Sequence, residues 1–92
     1  MKDVKDREIA VGLGVTEFQV QCARAVYGSR NHKAELTTIA AKTGKTALNV
    51  SSAMRSFHKK GLADQEESSV RINWFLTGTL LSTMEDEFRN SR

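Results

Sequence analysis

Residues 36–57, LTTIAAKTGKTALNVSSAMRSF, decide the fold. Leu36, Ile39 and Ala40 recur at three- and four-residue spacing, which predicts a short helix from about Glu35 to Thr43 with these residues inward. Gly44 follows where the chain must leave that helix in a left-handed conformation, which glycine adopts without a Cβ clash. Thr46 is a good N-cap for a next helix, whose buried face is Val50, Ala53, Met54 and Phe57 and which runs to Lys60 and stops at Gly61. Two helices cross closely only if a small side chain lies at the contact, and Ala40 stands just before the turn. A short helix, a glycine turn and a capped second helix build a helix-turn-helix.

Toward the N-terminus, Thr16-Glu17-Phe18-Gln19 matches a capping box, with Val15 and Val20 placed as a hydrophobic staple. Phe18, Cys22, Ala25 and Val26 then line one face of a helix that Gly28 and Ser29 end, and a polar loop follows to Lys33. Residues 1–12 are expected to hold at most a short helix, because Val4, Ile9 and Val11 form no stripe, and Gly12 and Gly14 signal a turn. Toward the C-terminus, Leu62–Gln65 reads as a short strand and Glu66–Ser69 as a turn. Val70–Thr77 reads as a strand with Val70, Ile72, Trp74 and Leu76 on one side and Arg71, Asn73, Phe75 and Thr77 on the other. A last helix from about Thr77 or Gly78 carries Leu80, Leu81, Met84 and Phe88 on one face. The expected fold is mainly α with a β-hairpin wing. Its expected segments are an N-terminal arm or short helix over 1–15, a winged helix-turn-helix domain over 16–77 and a C-terminal helix over 78–92.

A length of 92 residues points to one domain, and 39% hydrophobic with 27% charged residues is ordinary for a globular protein. No apolar run approaches the ~18 residues of a membrane span. The first residues mix both charge signs, unlike a secretory signal, so a cytoplasmic protein is expected. Cys22 is the one cysteine, which excludes an internal disulfide and argues against a cysteine-based zinc site. His32 and His58 lie far apart in sequence without a ligand-like grouping, so neither metal nor cofactor is expected. Cys22 and Trp74 read as core residues, and Glu85-Asp86-Glu87 as a solvated helix face. No nucleophile–base pair, phosphate loop or carboxylate pair stands out, so no enzyme is expected.

Charge is unevenly placed. The chain has a net +3, yet residues 28–63 hold seven bases (Arg30, Lys33, Lys42, Lys45, Arg55, Lys59, Lys60) against one acid, Glu35, a local +6. Such a segment attracts polyanions, of which nucleic acid is the usual one. With Val50, Met54 and Phe57 inward, rotation by about 100° per residue turns Leu48, Ser52, Arg55 and Lys59 outward, flanked by Asn49 and Ser56. Arg55 is suited to a guanine edge, Asn49 to adenine and Leu48 to a thymine methyl, while Ser52 and Ser56 suit a base or a phosphate. Lys45 and Thr46 lie at a helix N-terminus, where phosphate is favoured. Arg71 on the wing completes the expected DNA contacts. The plain alternative is a solvated polar helix face.

Phe57-His-Lys-Lys-Gly61-Leu62, followed by a hairpin ending Trp74-Phe75-Leu76-Thr77, resembles the MarR-type winged helix family over about residues 35–80. In that family a basic step like Lys59-Lys60-Gly61-Leu62 ends the recognition helix, a β-hairpin wing follows, and a pair like Leu76-Thr77 opens the next helix. The resemblance implies a transcriptional regulator that places its recognition helix in the major groove of duplex DNA. This chain is expected to be a trimmed version, and its wing tip to be acidic, Glu66-Glu67, where the family usually offers a basic one. A symmetric homodimer is expected, pairing recognition helices ~34 Å apart. Its expected surface is Leu80, Leu81, Met84 and Phe88, joined by residues around Val4 and Ile9. Two other readings remain open. One is a winged helix used as a protein-interaction module, which the acidic wing favours. The other is a ligand-responsive regulator, for which so short a chain leaves little room.

Overall fold

A computed structural model describes residues 2–90 of the chain. Met1, Ser91, Arg92 and the side chain of Val4, which the sequence reading places in the terminal segments, lie outside the described residues. Five helices and three short strands follow in the order α1 (Lys2–Leu13), α2 (Glu17–Tyr27), β1 (Lys33–Ala34), α3 (Leu36–Thr43), α4 (Ala47–Lys59), β2 (Ala63–Glu67), β3 (Ile72–Leu76) and α5 (Gly78–Asn90). This is a winged helix-turn-helix.

The N-terminal segment is a full helix, longer than its sequence pattern indicates. Ile9 and Ala10 are buried while Val11 points to solvent, so α1 rests on the domain by a narrow strip rather than a wide stripe. The expected capping box is present: Gln19 N–H donates to Thr16 Oγ1 at 3.1 Å, and Thr16 N–H donates to Gln19 Oε1 at 2.9 Å. It starts α2, which packs against α1, α3, α4, α5 and β3 and is the axle of the fold. Its small residues Cys22 and Ala23 allow that close approach, and both are fully buried with Val20 and Val26.

The three strands form an antiparallel sheet in the order β1-β3-β2. Strand β1 falls in a segment read from sequence as loop; at two residues it is too short to show a period of two. The hairpin register corrects the expected turn. Ala63 pairs with Leu76, both facing the core, and the ladder runs from there to Glu67 opposite Ile72. The turn is therefore Ser68–Arg71, closed by Ser68 N–H donating to the Arg71 carbonyl at 2.8 Å. Glu66 and Glu67 belong to β2 and are not the wing tip. Val70 and Ile72 share the side of Trp74 and Leu76 but extend past the core, and Val70 is 84% exposed.

Helix α5 folds back onto α2 and α1. Its entry is pinned by Thr77, whose hydroxyl donates to the Gly61 carbonyl at 2.9 Å and whose N–H donates to the Leu62 carbonyl at 2.9 Å. Gly78 has a φ of +60° and lies so close to Gly61 that a Cβ would meet its carbonyl oxygen at 3.1 Å. Leu80 and Met84 thereby enter the core with Phe57, Ile39 and Val50 and are fully buried. That corrects the expectation that they offer a surface to a second copy. The terminal helices are also tied by charge: Arg24 of α2 donates to Asp6 of α1 at 2.6 Å and to Glu87 of α5 at 3.3 Å. Among the described residues no helix is long and apolar enough to cross a membrane.

Candidate nucleic-acid interface

The helix-turn-helix is built locally as its sequence suggests. Gly44 has a φ of +71°, and the N–H groups of Gly44 and Lys45 both donate to the Ala40 carbonyl, at 2.9 and 3.2 Å. This locks the turn and satisfies an orphan carbonyl of α3. Thr43 Oγ1 donates back to the Ile39 carbonyl at 2.9 Å and closes the last turn of α3. Thr46 Oγ1 accepts from Asn49 N–H at 3.2 Å and starts α4. The cap engages the Thr46 oxygen as an acceptor and leaves its O–H to donate outward.

The burial of α4 follows its period. Val50, Met54 and Phe57 are fully buried and Ala53 nearly so. The opposite face presents Leu48, Asn49, Ser52, Arg55 and Lys59 to solvent, with Ser56 half-buried at its edge. Leu48 is 79% exposed, an apolar side chain with no core to enter. Lys45 and Thr46 stand exposed at the helix N-terminus, so the structure brings eight of the nine expected contact residues onto or beside one helix. The ninth, Arg71, is exposed at the wing turn, with its Nη1 4.0 Å from Glu35 Oε1. An open groove runs between α4, the start of α3 and the wing, lined by Leu36, Ser51, Arg55, Ile72 and Trp74.

Electrostatics set this surface apart. Of the seven bases between residues 28 and 63, only Lys33 lies within ion-pair distance of a described carboxylate, 2.9 Å from Glu66. Lys45, Arg55 and Lys59 have no acidic partner among the described residues. Elsewhere the charges pair: Arg7 with Glu17, Arg24 with Asp6 and Glu87, and Arg89 with Asp86. Lys60 is positioned differently from its neighbour, its ammonium donating to the Gly14 carbonyl at 2.9 Å and pinning the end of α4 to the α1–α2 turn.

The remaining residues singled out by sequence fall outside this face. Leu81 is partly buried against the core. Phe88 is 37% exposed and sets its ring edge-on to Tyr27 with centroids 4.8 Å apart. Cys22 is buried, and desolvation raises its thiol pKa to about 11. Among the described residues no group of three His, Cys, Asp or Glu is placed to hold a metal ion. Sequence reading did not anticipate the contacts of Lys33 with Glu66 and of Arg71 with Glu35. Both join residues far apart in the chain, and only the sheet register reveals them.

The fold and the exposed helix together define a winged helix-turn-helix. Solved structures share it. Staphylococcus aureus MepR, a transcription regulator of the multidrug efflux pump MepA, superposes with a TM-score of 0.76 at 20% identity, covering 95% of this chain and 67% of that one. NadR in complex with 4-hydroxyphenylacetate gives 0.72 at 18% identity, covering 91% and 62%. A cysteine-to-serine mutant of Lactococcus lactis ZitR in complex with DNA gives 0.68 at 14% identity, covering 82% and 51%. The chain thus spans about half to two thirds of the length of these structures. No protein-family model matches the sequence, and no curated protein matches it.

Proposed function

We propose that this chain is a transcription regulator that binds duplex DNA, with α4 in the major groove. The observation that carries the reading is the outer face of α4: polar, exposed, and bearing cations that no described carboxylate neutralises. A helix about 10–12 Å across fits a major groove about 12 Å wide. Within it Arg55 reads a guanine edge, Asn49 an adenine, and Leu48 a thymine methyl, while Lys45 and Thr46 contact phosphate. Two similar folds, MepR and ZitR, have been solved with DNA, which supports this reading.

Selection of bound sequences from a random duplex pool tests it. Arg55→Ala should cost about 1–3 kcal/mol at one base pair and relax the preference there, while Lys45→Ala should weaken all sequences alike and lower the salt slope by about one. A pool that shows no enrichment, or an Arg55→Ala protein with unchanged preference, refutes the reading. The second reading, a protein-interaction module, draws on the exposed acids Asp64, Glu66 and Glu67 of β2. It requires that nonspecific duplex DNA is not bound at low salt.

Pairing of two copies belongs to the same proposal, on a reduced surface. Leu80 and Met84 are withdrawn from it, as is the buried Ile9 of α1; Leu81 and Phe88 of α5 remain, and Val11, exposed on the adjacent α1, is added. Light scattering at micromolar concentration tests this, and a monomer that binds a single half-site as tightly as a palindrome rules it out.

A further inference from the structure

We infer that a second basic cleft, on the face of the wing opposite the α4 groove, holds a phosphate strand of the same duplex beyond the stretch that α4 reads. The inference rests on the proposed DNA-binding reading and adds a separate contact surface to it. The sheet register places the cleft: Lys33, opposite Phe75, and Glu66, opposite Asn73, lie on the face away from Trp74 and Ile72, which line the α4 groove. The cleft is lined by Arg30 and Lys33 before α3, Lys42 on α3, and Arg71 on the wing, with Glu35 and Glu66 among them. Glu35 and Arg71 also line the α4 groove, so the two surfaces meet at one rim.

Four cations face two acids. Glu66 holds Lys33 at 2.9 Å, and Glu35 stands 4.0 Å from Arg71. Lys42 donates to Ser29 Oγ at 2.9 Å and has no carboxylate partner among the described residues, and Arg30 is exposed with none. The uncompensated charge therefore sits on Arg30 and Lys42, whose ammonium reaches Ser29, the residue next to Arg30. The loop carrying Arg30 is held in place: the His32 ring stacks on Tyr27 at 4.0 Å between centroids, and its Nδ1 lies 2.7 Å from the Tyr27 carbonyl oxygen. Basic side chains from the loop, α3 and the wing along one open cleft suit an extended polyanion, whose binding releases condensed counterions. An acidic protein segment is the other class of polyanion, and the test separates it.

The test uses two duplexes, one limited to the selected half-site and one extended by a helical turn on each side. The protein is the full chain, wild type and Arg30→Ala/Lys42→Ala, with circular dichroism to check the fold. The wild type should bind the extended duplex more tightly and with a steeper dependence on salt. The double variant should lose about two from that log–log salt slope on the extended duplex, and its binding to the short duplex should be unchanged. Equal losses on both duplexes, or none on either, overturn the cleft. So does a variant with normal DNA binding that no longer retains polyglutamate, which assigns the cleft to an acidic protein segment. A wild type that binds neither duplex refutes the DNA-binding reading itself, a result distinct from failure of the cleft alone.

Discussion

Replacing Arg24 with methionine should destabilise the domain by about 3 kcal/mol, and the asymmetry with its partner is the sharper expectation. Asp6 is the one buried charged residue among those described, at 4% exposure, and Arg24 Nε donates to it at 2.6 Å. Removing one member of a buried ion pair costs about 3–5 kcal/mol, because the other charge is left in a dry site. The Arg24 side chain keeps 31% of its surface in water, so solvent can follow into its place, which sets the lower end of that range. Asp6→Asn should cost only about 1 kcal/mol, since Arg24 then retains Glu87 at 3.3 Å and its own hydration. In the double variant the buried charge is gone, so its loss should fall short of the sum of the two. Urea unfolding followed by circular dichroism at constant m measures all three. Against a total of roughly 5–15 kcal/mol these differences are resolvable. An Asp6→Asn loss as large as that of Arg24→Met, or strict additivity in the double variant, would refute the reasoning.

Gly44→Ala should cost about 1–2 kcal/mol by backbone strain alone, because a Cβ at this φ of +71° meets nothing within 4 Å; Gly44→Asn should cost less. A loss above about 4 kcal/mol in the same urea assay would mean that a steric contact, not the backbone, dominates. Cys22 should resist thiol reagents at pH 8 until the protein unfolds, because burial raises its pKa to about 11 from 9.0. The folded state holds this proton more tightly than the unfolded one. Its contribution is therefore full below pH 9 and falls by up to about 1.4 kcal/mol per unit between pH 9 and 11. Cys22→Ala should lack that part of the alkaline loss. Val70→Ser should change stability by less than about 0.5 kcal/mol, since Val70 is 84% exposed; a large loss would restore it to the core.

The helix-turn-helix is legible in the sequence because each of its signals is local. Gly44, Thr46 and the Thr16–Gln19 box act through backbone groups within three or four residues of themselves, so spacing alone reports them. The outer face of α4 is legible for a related reason: once Val50, Met54 and Phe57 are known to be inside, helical rotation places every other side chain of α4. The tip of the wing is not, because alternation specifies which residues share a side but not where the core ends. Val70 keeps the parity of Trp74 yet lies beyond anything that could cover it.

The last helix resists reading for a deeper reason. A stripe of Leu80, Leu81, Met84 and Phe88 states that something apolar must cover it and does not state what. In this fold α5 folds back onto α2 and α1, where Leu80 and Met84 are fully buried and Phe88 rests edge-on against Tyr27 of α2. The ion pair that ties it to α2, Arg24 with Glu87, joins residues 63 positions apart, which no local pattern encodes. A polar surface is the reverse case. Arg55 and Lys59 need no partner within the chain, so their positions on α4 already define what they offer to a ligand. Local pattern therefore reports the exposed face of α4 more faithfully than it reports how the domain packs.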